Sequence, residues 1–586
     1  MKNKHGIYGK RMALCVLILF LVWVAACSKP GSDSVAPTTT GPASSTAAAS
    51  TSSSPEDLDP LGKYDPPITL STVKIFNSSV KFAPGETPEN NIWIDGYKND
   101  LGIEMKVNWS VVGNEPGGAG EQKLNISIAS KDLPDIIPVN SKQLKQLADN
   151  DMAEDLTDAY AKYASPLLKK FMSLNDGLAL ETSTFDGKLL ALPITGASVD
   201  TASMIWIRKD WLDKLQLPEP KSMADILNIS NAFTHKDPDG NNKKDTFGLG
   251  IDKNLFTSRI YDITGFLEGY HAYNNLWLKD DSGKLVYSGI QPEMKTALGK
   301  LQEMFKDGQI DPEFGVKDTA KVNESVVAGK IGMWYGAHWN AFLPLPDSFK
   351  QDPNAVWKPY PIVSVDDTPA DPSVGLGVNP NSVDMGYVVF KKGSKHPEAL
   401  IKLANYYAAK EYGWDTGSVD LNYHQPVPNP DGYTRWSFAA VIGLDPNQNI
   451  NIYRGVKAVV ENNDQSALSN LQVKDNYNNY MKYVNDNDTT QYGTYMWSGP
   501  KDSALSIFDY YLNNNLGVTN QFYGSKTATM VQKQSTLDKL QLETFTKIVM
   551  GAASVDEFEQ FVANWKKLGG DAITEEVNDW YAANKK

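Results

Sequence analysis

The chain has 586 residues, 41% of them hydrophobic and 22% charged, the composition of a globular protein too long for one compact core, so two large lobes are expected. Its formal net charge of -14 excludes a basic nucleic-acid surface and an electrostatic hold on anionic lipid heads. Acidity otherwise reports solubility and names no substrate.

The first 26 residues carry an address. Lys2, Lys4, Lys10 and Arg11 precede an apolar run from Met12 to Ala26, too short and wrongly flanked for a comfortable transmembrane helix. The run closes on Val24-Ala25-Ala26-Cys27, which resembles the lipobox of bacterial lipoproteins and implies cleavage before Cys27 and lipidation of its sulfur. The alternative is an ordinary signal peptide that happens to hold a cysteine. The chain has two cysteines, and Cys15 leaves with the signal peptide, so no intrachain disulfide is expected. Residues 27–66, rich in Ser, Thr, Ala and Pro, form a flexible tether in this reading. The expected location is the extracellular face of the cell membrane, lipid-anchored.

In the body, Ile68–Ile75 alternates as a strand, 91–101 has helical spacing, and Ile103–Trp109 alternates again. A turn feeds a short buried strand at 131–139, and helices follow at 142–147, 156–163 and 165–174. Ala202–Ile207 is a strand, then helices near 209–215, from Ser222, and within 288–308. Strands at 330–335 and 385–390 and a helix at 397–409 complete the pattern. Strands separated by helices give an α/β class with parallel sheets.

Signals of catalysis are weak: there is no nucleophile elbow, no H-E-x-x-H and no P-loop, and six scattered histidines give no metal spacing. A glycosidase-like carboxylate pair does not stand out among 70 acidic residues, so a non-enzyme is expected. A cation loop does stand out. Asp237, Asp239, Asn241 and Asp245 hold positions one, three, five and nine of an EF-hand-like spacing, with Lys243 offering its carbonyl at position seven. Gly248 stands at position twelve, where an EF-hand has Glu. A structural Ca²⁺ clip is therefore weighed against a plain polar turn. For a ligand, Trp334, Tyr335, His338 and Trp339 follow a strand directly, where open α/β sheets bind ligands. They compete with a reading as a core junction. Trp277, Arg435, Trp436, Tyr495 and Trp497 lie in loop-like stretches and are further candidates.

Together Asp132-Leu-Pro-Asp-Ile-Ile137, Phe185–Pro193, Ile205–Leu215, Asp237–Thr246, Gly329–Tyr335 and the run from Leu542 to Trp580, behind a lipobox, resemble the extracellular solute-binding proteins (family 1), in the large lipoprotein branch serving Gram-positive oligosaccharide importers. The resemblance implies a two-lobed periplasmic-binding-protein-like fold (type II) with hinge crossovers and an interlobe ligand cleft. The expected lobes are 67–195 with about 384–470, and about 196–383 with 471–586, crossing near Pro193–Ala202 and Asn379–Gly386. It also implies Thr246 as a further calcium ligand, an oligosaccharide as cargo, ABC permease subunits as partners, and a monomer. A sensor-kinase receptor presenting the ligand, or an anchored carbohydrate-active enzyme, are the alternatives.

Overall fold

The computed structural model describes residues 58–584 apart from 78–79, 116, 175–176, 257–258, 380–382, 417–418, 424–432 and 525. The signal peptide, Cys27 and most of the expected tether lie outside the described residues. The last part of that tether is packed instead, because it carries apolar groups. Leu61 and Tyr64 lie against the first core, Tyr64 OH donates to Glu398 at 2.9 Å, and Lys402 Nζ donates to the Gly62 carbonyl at 2.7 Å.

Two sheets organise the body. In the first, the strand order is Ile103–Val112, Ile68–Phe76, Ile136–Val139, Tyr387–Phe390, Leu192–Pro193. The first three run parallel, and Tyr387–Phe390 inserts antiparallel to both its neighbours. The two-residue period decides which face each side chain covers. Val388 and Phe390 enter one core with Leu70, Trp93 and Ile136, whereas Tyr387 and Val389 enter another with Val73, Ile75 and Ile137. Helices close both faces, and their starts are written locally. Asn91 caps Ile92–Leu101 by accepting from the Trp93 and Ile94 amides, and Asn140 with Gln143 forms a capping box on Ser141–Asp149.

The second sheet has the order Trp357–Pro361, Met204–Arg208, Ile331–Gly336, Phe247–Leu249, with Ile260–Asp262 also paired to Ile331–Gly336. It corrects the expectation of parallel sheets, because Phe247–Leu249 runs parallel to Ile331–Gly336 while the other pairings are antiparallel. Its core draws on residues 199–370 and again on 450–577. The second contribution comes from helices such as Gln448–Asn462, Leu471–Asp486 and Ala528–Val549, a helical half that the strand-and-helix reading of the sequence left undescribed before its closing run. Among the described residues, no helix is long and apolar enough to cross a membrane.

The chain passes from the first sheet to the second between Pro193 and Met204 and returns between Pro361 and Tyr387. These connections run side by side. Thr195 bridges Val378, Gly196 N donates to Gly377 O, and Ile194 N donates to Gly386 O, each hydrogen bond at 2.9 Å. Gly377 has φ of +75°, a left-handed turn that a side chain would strain.

Candidate functional site

The topology brings one edge of each sheet to the crossings. In the first sheet the strands ending at Phe76, Val139 and Pro193 all point that way, and the strand Tyr387–Phe390 begins there. Ligands of open α/β sheets bind at such an edge. A small cavity of about 30 Å³ opens at it, lined among others by Lys74, Asn77, Ile194, Asp384, Met385 and Trp436. That volume holds roughly one water and is too small for a sugar ring.

Trp436 is half-buried, and the backbone around it is held by side chains from below. Trp93 Nε1 donates to the Arg435 carbonyl at 2.8 Å, Lys74 Nζ to the Ala439 carbonyl at 2.5 Å, and the Ala440 amide to Tyr97 OH at 2.9 Å. Phe438 stacks on Phe82 with centroids 4.3 Å apart. Behind the segment, Thr195 Oγ1 on the first crossing donates to the Leu444 carbonyl at 2.6 Å. Thus Arg435 and Trp436 lie on a fixed segment at the sheet edge. Sequence reasoning missed the groups beneath them, Lys74 and Asp384. The signal was present in Lys74, a lone charge in the apolar alternation of Ile68–Phe76.

On the second sheet the corresponding edge is the end of Ile331–Gly336 and the start of Met204–Arg208, which pair antiparallel. Here the sequence expectation for Trp334 and Tyr335 is corrected. Both are fully buried, because a strand in the middle of a sheet covered on both faces buries both side-chain parities. The Trp334 ring lies 4.5 Å from Trp357 and 5.4 Å from Tyr261 between centroids, and its Nε1 donates to Asn340 Oδ1 at 3.0 Å. Tyr335 packs edge-on to Phe266. Neither ring has a face left for a ligand.

His338 and Trp339, past the strand end, are half-buried. Trp497, itself buried, donates its Nε1 proton to His338 Nδ1 at 2.7 Å. An indole N–H only donates, so that nitrogen must keep its lone pair; burial pushes His338 down to about 4 in the same direction. Arg259, half-buried beside this edge, donates from Nη1 to the Thr201 carbonyl at 2.7 Å on the first crossing. Asp200, on that crossing, accepts from Asn449 at 3.0 Å, and burial pushes its carboxyl up to about 6. Trp277 belongs elsewhere. It is 5% exposed, tilted against Tyr287, in the core formed with the C-terminal helices.

A larger groove, about 680 Å³, runs between the hairpin Thr184–Leu189 with the helix Ser141–Asp149 on one side and the C-terminal helix on the other. Phe185, Tyr523 and Trp580 offer ring surface there, with Glu181 and Asp186 as acceptors. Tyr523 OH donates across it to Glu181 at 3.1 Å. Rings beside hydroxyl acceptors suit a polar ring compound.

The loop 237–245 gathers its oxygens. Asp237 accepts from the Asn241 and Asn242 amides at 3.1 Å each, and the Asn241 side-chain nitrogen reaches Asp239 at 2.7 Å and Asp245 at 3.1 Å. Asp239 is raised by its partial burial and by Asp237 and Asp245 beside it. The Asn241 amide nitrogen thus stands among carboxylates where a cation would stand, and turning that amide presents its oxygen instead. In the geometry shown, no group of three or more His, Cys, Asp or Glu among the described residues is set to hold a metal. Thr246 is corrected as a ligand. It is buried, and its hydroxyl donates to the Phe233 carbonyl at 2.8 Å. Gly248, at position twelve, lies inside the strand Phe247–Leu249, so the loop ends unlike an EF-hand.

Comparison with known proteins places this geometry. Lipoprotein LipO of Bacillus subtilis (strain 168) is 24% identical over 530 residues, spanning 88% of this chain and 93% of LipO. An extracellular solute-binding protein from Bifidobacterium longum subsp. infantis superposes with a TM-score of 0.58 at 18% identity, over 90% of this chain and 100% of that one. The S. pneumoniae ABC-transporter substrate-binding protein FusA, as an EF-hand mutant in complex with fructo-nystose, gives 0.54 at 16% identity, over 88% of this chain and 100% of that one. The fold is therefore the two-lobed α/β fold of solute-binding proteins. Residues 102–414 match the model of the family described as bacterial extracellular solute-binding protein, and the chain belongs to that family.

Proposed function

We propose that this protein captures an oligosaccharide between its lobes and delivers it, unaltered, to the permease of an ABC importer. The observation that carries this reading is the anchored Trp436 at the first sheet's edge, beside the crossings on which the lobes would pivot. The fructo-nystose held by FusA supports a sugar as the cargo. A ligand that touches both lobes only when they are closed shifts the population toward the closed form. Ring faces desolvate the sugar's C–H surfaces, and Arg259, Arg435, Asp384 and the groove carboxylates satisfy hydroxyls that would otherwise be buried unpaired. No bond is made or broken in this reading.

The lobe division proposed is 67–195 with about 384–445, and about 196–383 with 446–586. The boundary expected near 470 moves because Ile450, Ile452 and Val456 of the helix Gln448–Asn462 pack in the second core. Cys27, as the lipidated first residue of the mature chain, would hold the protein at the outer membrane face; the lipoprotein relative LipO supports this. Asp237, Asp239, Asn241 and Asp245, with the Lys243 carbonyl, would hold a structural Ca²⁺. The EF-hand of FusA supports that assignment.

Thermal unfolding of the body against a panel of neutral and acidic oligosaccharides tests the proposal. A ligand at a hundred times its Kd adds about 2.7 kcal/mol, so at least one member should raise the midpoint by several degrees. A flat panel, or cleavage of a panel member, contradicts it.

A further inference from the structure

Lysine is a costly choice for the inward register of a core strand. In Ile68–Phe76 the even-numbered Leu70 and Phe76 enter the core on the Trp93 side, and Lys74 shares their parity at 9% exposure. A buried ammonium destabilises a fold unless partners offset it, so an apolar residue would pack better there. Its contacts supply another reason for it. Nζ donates to the Ala439 carbonyl at 2.5 Å, three residues beyond Trp436. The charge acting on it comes from Asp384, which accepts from Asn114 at 3.0 Å and lies just before the strand Tyr387–Phe390. Lys74, Asp384 and Trp436 line one cavity.

We propose that Lys74 is a positioning residue of the ligand site: its ammonium, between the Ala439 carbonyl and Asp384, fixes the segment that presents Trp436 and ties it to the second crossing. The ligand role rests on the reading of Trp436 given above; the pinning does not. Burial lowers Lys74 to about 8 against the opposing pull of Asp384, so near that pH its bond to the carbonyl changes from charge-assisted to neutral and weakens. The other ties do not follow. The Trp93 indole does not titrate, and burial pushes the Tyr97 phenol up.

Amide hydrogen exchange over 436–442 in the full chain, at pH 7 and pH 9 and corrected for base catalysis, tests the inference. Exchange at pH 7 should be at least tenfold faster in Lys74→Met than in wild type, with the distant helix Pro292–Lys306 unchanged. Wild type at pH 9 should move toward the variant, and the variant should show no such gain. Equal rates at pH 7, or a wild-type profile flat from pH 7 to 9, overturn the inference. Should Lys74→Met unfold, Asp384→Asn carries the test: the wild-type transition must move to lower pH, and an unmoved transition overturns it. Failure of the ligand reading looks different. Trp436→Ala would then leave glycan affinity unchanged while the exchange difference persists, and Lys74 would be a structural pin only.

Discussion

Trp334 and Trp436 are the same side chain in opposite surroundings, one enclosed and one left half-buried. Trp334 sits on the central strand of the second sheet, with Trp357 and Tyr261 against its ring and Asn340 on its nitrogen. Trp436 has its neighbouring backbone tied down by Trp93, Lys74 and Tyr97, while its own ring stays half-buried at the edge of the first sheet. A ring covered by its neighbours contributes stability. A ring left partly open on a backbone held from beneath costs little further entropy when a ligand covers it. The contrast therefore separates an aromatic consumed by the core from one left open to a ligand, the role proposed for Trp436, without reference to residue type.

The sharpest way to break this contrast is Trp334→Ala. It should cost about 3–5 kcal/mol of stability, as large-to-small changes of core aromatics do, read as a lowered urea midpoint. A loss under about 1 kcal/mol would mean that the ring is not a core element. Trp436→Ala should do the reverse. It should weaken the best oligosaccharide of the panel about thirtyfold, roughly 2 kcal/mol, with a smaller change in the midpoint.

Two smaller effects sharpen the picture around these rings. Calcium at ten times its Kd should stabilise the protein by about 1.4 kcal/mol, and Asp239→Asn should reduce that gain; identical melting with calcium and with chelator would remove the ion from loop 237–245. His338 gives the smallest effect. Its folded pKa is lowered to about 4, so the neutral ring's contribution is fully present above the unfolded value of about 6.5 and is lost as pH falls from there toward 4. After allowance for its partial exposure the loss should be about 1 kcal/mol. His338→Gln should flatten the stability profile across that window, and an unchanged profile would assign the slope to other groups.

The sequence made the framework of the fold legible wherever local signals agree with the tertiary outcome. The strand at 103–109, the helices starting at 91 and at Ser222, and the strand 330–335 are legible in the sequence, and the structure adds that Asn91 and Ser222 cap those helices. The site was less legible. The motif Gly332–Trp339 reads as following a strand, but only its last three residues do. Trp334 and Tyr335 lie within the strand Ile331–Gly336, which is central and covered on both faces, and local sequence does not reveal that. Thr246 was misread for a similar reason: its hydroxyl is bound to Phe233, thirteen residues earlier, across a helix-to-strand packing that spacing cannot reveal. Conversely, Arg435 and Trp436 looked like weak loop residues because their anchors lie more than 340 positions away in sequence, on Trp93 and Tyr97.

The most direct test of the central claim is calorimetric titration of the oligosaccharide that gives the largest thermal shift, into wild type and into Trp436→Ala. An intact fold with affinity reduced at least tenfold in the variant is the predicted result. Equal affinity in the two proteins would contradict it and move the binding surface away from the first sheet's edge.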